Sequence, residues 1–239
     1  MLATRTRHNL LFPVIIIVVA SSFGTVMSLH IAPGILGKTI YFFCHLLMLA
    51  VPLVWYIWSD RPPGSAKGDR STIKISPPKS KELLAGTILG LLMFGAILAA
   101  YWFVGRSWID LESIRMRAQQ AGTGNASIYL VGAIYFSFVN SLFEEYIWRW
   151  FIASQCAIII PGIRAIFLSA LLFTLHHIIG LAAYVDWRVV LVGSLGVFVG
   201  GVIWSWCYLT YRSIWSSYIS HILADLAIAI VGWQLLFGR

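Results

Sequence analysis

The sequence predicts an all-α, polytopic bundle of transmembrane helices, about seven spans and at most eight, on three observations. The 239 residues are 59% hydrophobic and only 11% charged, with a mean hydropathy of +0.84, which is too little polar surface for a soluble domain of this size. Apolar runs of about 20 residues, long enough to cross a hydrocarbon core as helix, recur along the chain. Segments of that length in lipid must satisfy their backbone groups internally, and that requires helices.

The runs fall near residues 10–28, 39–58, 83–104, 128–152, 164–182, 189–210 and 214–236. Arg5 and Arg7 precede the first as they would in a signal peptide, but the run is long and lacks a clean small-residue cleavage site, so it reads as a spanning helix. The net charge of +8 is concentrated in loops, above all 59–82, which suits anionic lipid headgroups and excludes a nucleic-acid reader. Counted by alternate loops, the Lys and Arg excess favours a cytoplasmic N-terminus. Residues 105–127 mix charges with Trp108, Ile109, Leu111, Ile114 and Met116, and read as either a short interfacial helix or a loop. Gly86 to Gly90 and Gly196 to Gly200 have the spacing of close helix packing. Cys44, Cys156 and Cys207 lie in apolar runs without paired spacing and read as packing residues. The chain divides into N-terminal transmembrane helices and loops, 1–127, and core helices, 128–239.

Chemistry enters with the fourth span. A charge at the centre of a bilayer costs about 2.5–3.5 kcal/mol on insertion scales, so intramembrane ionisable residues mark functional sites. Ser137, Asn140, Ser141 and Glu144 recur at i, i+3, i+4 and i+7, one polar stripe that must face protein or water. Glu145 stands four residues before Arg149, the spacing of an ion pair, which leaves Glu144 without a charged partner nearby. From this helix alone, a purely structural pair of glutamates is an equal alternative.

The fifth span carries Phe173 and His177 at i and i+4 after a Pro161-Gly162 turn. Glu144 lies 17 residues before Pro161 and His177 16 after it, so in an antiparallel hairpin the two stand at equal depth. His176 points about 100° away and is the weaker candidate. In the last span Ser213, Ser217, His221 and Asp225 are each four residues apart, so His221 and Asp225 share a face. His45 has no charged neighbour at helical spacing and reads as structural.

Glu144-Glu145-x-x-x-Arg149, Phe173-x-x-x-His177, and Ser213-x-Trp215 followed by His221-x-x-x-Asp225, in this order over roughly 130–230, resemble the CAAX protease and bacteriocin-processing (CPBP, or Abi) family of intramembrane endopeptidases, which includes the type II CAAX prenyl endopeptidases. The last motif of the prenyl endopeptidases more usually ends in Asn, where Asp225 stands here. The resemblance implies a multi-pass protein of a prokaryotic plasma membrane that hydrolyses a hydrophobic or lipidated peptide without a cofactor. Carried over by motif, Glu144 is the general base for a water held against His177. Glu145 and Arg149 set the field around it, Phe173 and Asn140 support the site, and His221 stabilises the oxyanion with Asp225 orienting it.

Three other readings stay open. Zinc on His177, His221 and a carboxylate is a minority alternative, and no H-E-x-x-H helix is present. A catalytically silent scaffold or immunity protein would keep the same motifs. A proton-coupled transporter would use Glu144, His177 and Asp225 as a relay, but the sequence shows no inverted repeat. The Trp-rich spans, with Trp102, Trp148, Trp150, Trp204, Trp206 and Trp215, serve equally as lining for an apolar substrate or as interface anchors. Substrate identity and oligomeric state are not legible.

Overall fold

A computed structural model describes residues 2–58 and 77–238, with the side chains of 2–10 and 58 outside the description. The basic loop at the centre of the orientation argument therefore lies largely outside the described residues, as do the side chains of Arg5 and Arg7. Eight helices account for the described chain: α1 (Leu2–Val26), α2 (Ile35–Trp58), α3 (Ser80–Phe103), α4 (Leu111–Ala121), α5 (Ala126–Ile159), α6 (Ile163–Ala182), α7 (Trp187–Tyr211) and α8 (Trp215–Phe237). All but α4 are long and apolar enough to cross a membrane. Large side chains such as Ile35, Phe103, Val131 and Trp187 face outward, an apolar exterior that only lipid makes stable.

Local chemistry starts and stops the helices. Asp110 caps α4 by accepting the amides of Glu112 and Ser113, Asn125 caps α5 through Ser127 and Ile128, and Asp186 caps α7 through Arg188. Gly122 closes α4 with φ of 84°, a left-handed conformation that glycine adopts without steric cost. The segment 105–127 is thus a short helix and not a loop. Its Arg115 donates to the Leu235 and Gly238 carbonyls at the end of α8, and its Arg117 to Ala183 just past α6. These bonds satisfy carbonyls at or near helix C-termini and bind α4 to one face of the bundle.

The second half of α5 is the central post. Ile147, Trp148, Phe151, Ile152 and Cys156 are buried together with Ile17 of α1, Met48 of α2, Phe173 of α6, Trp204 of α7 and Ala224 of α8. The same stretch also buries Glu145, Arg149, Ser154 and Gln155, polar side chains that lipid would not tolerate and that must face neighbouring helices. The three cysteines are free.

α3 lies along α8, and small residues permit the approach. A Cβ at Gly86 would stand 2.8 Å from the Ser216 carbonyl, and one at Gly90 2.9 Å from the Leu223 Cβ. The Gly196 to Gly200 expectation is corrected. Gly196 has nothing within 4 Å, Gly200 meets only the ring of Trp204 on its own helix, and Gly201 is the residue packed against Ala170 and Phe173. Spacing alone does not say which side of a helix faces its neighbour.

Candidate active site

α5 is not uniformly α-helical. Residues Tyr135–Asn140 and Glu145–Ala153 are wound as π-helix, with the α-helical turn Ser141–Glu144 between them. Such wide turns concentrate at functional sites because they re-aim side chains within a helix. Two tyrosines fix this stretch, Tyr218 of α8 donating to the Phe138 carbonyl at 2.9 Å and Tyr146 donating to Leu49 of α2 at 3.2 Å.

Glu144, at the end of the α-helical turn, receives a hydrogen bond from Asn140 Nδ2 to Oε1 at 3.0 Å. That bond fixes the carboxylate and leaves Oε2 directed to the other helices. Oε2 lies 3.6 Å from His221 Nε2 of α8. On the α6 side, ligand atoms of Glu144, His176 and His177 lie within 4.8 Å of one another. The antiparallel-hairpin argument thus brings Glu144 to His177, and it brings His176 as well. His177 Nδ1 donates to the Phe173 carbonyl at 3.0 Å, in the tautomer that leaves Nε2 a free lone pair.

Glu145 and Arg149 are fully buried, with Nε 3.5 Å from Oε1. No acceptor lies within hydrogen-bond geometry of the guanidinium nitrogens. It lies instead over the faces of Phe173, 4.3 Å from the centroid, and Trp204, at 5.1 Å, where ring quadrupoles stabilise a desolvated cation. Phe173 therefore has two neighbours in the cluster, lying under Arg149 and beside His177.

His221 is oriented differently from the expectation. Its Nδ1 bonds Glu145 Oε1 at 3.0 Å, whereas Asp225 stands 3.8 Å from Nε2 and accepts Ser141 Oγ at 2.6 Å. The i, i+4 relation on α8 places Asp225 on the correct face, but the neighbouring helix supplies the shorter bond. Trp204 stacks on the His221 ring, centroids 4.1 Å apart, and donates Nε1–H to Ser220 Oγ at 2.7 Å. Trp148 likewise lies parallel to His176 at 5.1 Å. Of the tryptophans, Trp148 and Trp204 line the cluster, while Trp102 and Trp206 are half exposed on the outside. His45 bonds the Tyr41 carbonyl at 2.9 Å and stacks on Phe143.

Sequence reasoning missed the closeness of His176 to Glu144, the bond from Glu145 to His221, and the π winding. The only available signal for the first was the adjacency of two histidines in an apolar helix. A cavity of about 250 Å³ does open beneath α4, lined by residues including Trp108, Asp110, Arg117 and Tyr184. It contains none of the clustered acids and imidazoles, so the chemistry points to the cluster and not to the cavity.

Fold and site define a class: a multi-pass, all-α membrane protein with a part-buried carboxylate–imidazole cluster at the junction of α5, α6 and α8. Residues 126–227 match the family model described as type II CAAX prenyl endopeptidase Rce1-like, and this stretch carries all three motifs. The resemblance read from the motifs is thereby borne out over residues 126–227, the stretch that is similar to the Rce1-like family. No curated protein and no solved structure matches the chain.

Proposed function

We propose that the protein is an intramembrane endopeptidase of the plasma membrane of a prokaryote, hydrolysing a peptide bond of a membrane-associated or lipidated peptide with water activated by Glu144. The observation that carries the reading is the convergence of Glu144 with His177 and His221, one carboxylate oxygen held by Asn140 and the other turned to the imidazoles.

In the proposed reaction, water sits between Glu144 and His177 Nε2. Glu144 takes a proton as the water oxygen bonds to the scissile carbonyl carbon. His221, with Glu145 on Nδ1 and Glu144 and Asp225 on the Nε2 side, donates Nε2–H to the oxygen that becomes negative when it is an imidazolium, the form that three neighbouring carboxylates favour. Collapse of the tetrahedral intermediate breaks the C–N bond, and the proton held by Glu144 passes to the departing amine. Glu145 and Arg149 hold His221 and the end of the helical turn without touching substrate. The apolar surroundings exclude bulk water, which strengthens each of these interactions.

Purified wild type and His177→Gln, incubated with prenylated and unmodified C-terminal peptides, test the reading. Hydrolysis by wild type that falls at least about 100-fold in the variant, the scale of one acid–base group, agrees with it. Equal cleavage by both removes His177 from the reaction, and no cleavage by a folded wild type favours the scaffold reading.

A further inference from the structure

His176 belongs to none of the three motifs, yet the structure gives it a defined place. Its ring lies parallel to Trp148, with 6° between the planes, and its Nδ1 is buried without a hydrogen-bond partner. An unpaired buried polar atom is costly and calls for an occupant. Beside it, His177 keeps Nε2 free because Nδ1 is bonded to the Phe173 carbonyl, which is how the second ring nitrogen of metal-ligating histidines is usually held. Glu144 supplies the third donor, its position set by Asn140.

We propose that Glu144, His176 and His177 form a binding site for a divalent transition-metal cation such as zinc, and that occupancy blocks hydrolysis. This rests on the reading of Glu144 as the base. The donor atoms lie within 4.8 Å of one another. Ligands of tetrahedral zinc stand about 3.3–3.4 Å apart given metal–ligand distances of about 2.0–2.1 Å, so the widest pair closes by at most about 1.5 Å. Two imidazoles and one carboxylate with an open fourth position form a set that zinc accepts. The surroundings favour added positive charge, since Glu144, Glu145 and Asp225 all gather around the His221 imidazole, and Arg149 is the one fixed cation paired with them, through Glu145.

The same geometry makes the bound cation an inhibitor and not a catalyst. A carboxylate whose lone pair is given to a metal cannot take a proton from water. The other two carboxylates are held elsewhere, Glu145 by Arg149 and His221 at Oε1 and Asp225 by Ser141 at Oδ2. Metal binding therefore removes the base and leaves no replacement.

Zinc alone is the probe. Metal-stripped full-length protein in detergent, dialysed against buffered Zn²⁺, is expected to bind one zinc per chain, and Co²⁺ in its place to show a tetrahedral absorption spectrum. His176→Phe, which keeps a ring against Trp148, and His176→Gln, which keeps polarity, should each weaken binding at least about 100-fold, more than loss of an outer-shell partner costs. Two variants of different character, both checked for monodispersity, separate ligand loss from misfolding. Peptide cleavage should fall as zinc occupancy rises, at a concentration shifted upward by the same factor in the His176 variants, each normalised to its own metal-free rate. Unchanged zinc affinity in both variants, absence of binding at micromolar free zinc, or cleavage that rises with occupancy would overturn the proposal. Binding is read without substrate, so a chain that bound zinc through these residues but cleaved nothing would retain the site while the proteolytic reading fell.

Discussion

Replacing Glu145 by Gln removes one charge while nearly preserving shape, and it strands Arg149. In the native protein Arg149 Nε is 3.5 Å from Glu145 Oε1 and both side chains are fully buried. Unit charges at that distance attract by about 4.7 kcal/mol at an effective dielectric of about 20, and breaking a buried pair from one side costs about 3–5 kcal/mol. The two ring faces over the guanidinium remain, but no hydrogen-bond acceptor replaces the lost charge. Glu145→Gln is therefore expected to destabilise the protein by about 3–5 kcal/mol, while adding Arg149→Met should recover most of that loss by removing the stranded cation. Equilibrium unfolding in mixed detergent–SDS micelles, followed by tryptophan fluorescence, measures both. A cost below about 1 kcal/mol for the single variant, or a double variant no more stable than the single, would refute the assignment of a buried, mutually dependent pair.

Three further outcomes are expected. Gly90→Leu should destabilise the α3–α8 contact by about 1–3 kcal/mol, because even a Cβ there stands 2.9 Å from the Leu223 Cβ, whereas Gly95→Ala, with nothing within 4 Å, should be neutral or slightly stabilising in the same unfolding assay. Ser141→Ala removes the 2.6 Å bond to Asp225, a charge-assisted interaction of about 1.5–3 kcal/mol, and should lower kcat more than it raises KM; a change confined to KM would contradict a role beside the reacting atoms. Bonds from the Ser113 hydroxyl and amide and the Glu112 amide hold the Asp110 carboxyl below its ordinary value of 3.8. A lowered native value stabilises α4 at higher pH, and that stabilisation disappears as pH falls from 3.8 through the native value. Hydrogen exchange of α4, corrected for intrinsic rates, should show this loss in wild type and not in Asp110→Asn.

Much of the fold was legible because burying a backbone in lipid leaves one solution. Each apolar run became a spanning helix, and the charged stretch 105–127 became a capped helix held by Arg115 and Arg117. What composition did not reveal was which side of a helix meets a neighbour. Gly86 and Gly90 face α8, but Gly196 faces nothing. In the site, i, i+4 spacing correctly paired Glu145 with Arg149. It did not reveal that Glu145 also reaches across to His221, because interhelical bonds depend on packing that no single helix encodes. The π turns in α5 were likewise invisible to a reading based on 3.6 residues per turn. His176 was discounted on angular position alone, although its imidazole is wide enough to reach a carboxylate lodged beside His177.

The central claim is that Glu144 activates the water. Wild type and Glu144→Gln, both purified and shown to be folded, should be compared in liposomes on a peptide library containing prenylated C-terminal sequences, with products read by mass spectrometry and a zinc chelator present throughout. The account predicts products from wild type and a loss of at least about 100-fold in the variant, the scale of a positioned acid–base group. Equal product formation by the two, or wild-type cleavage abolished by the chelator, would contradict it.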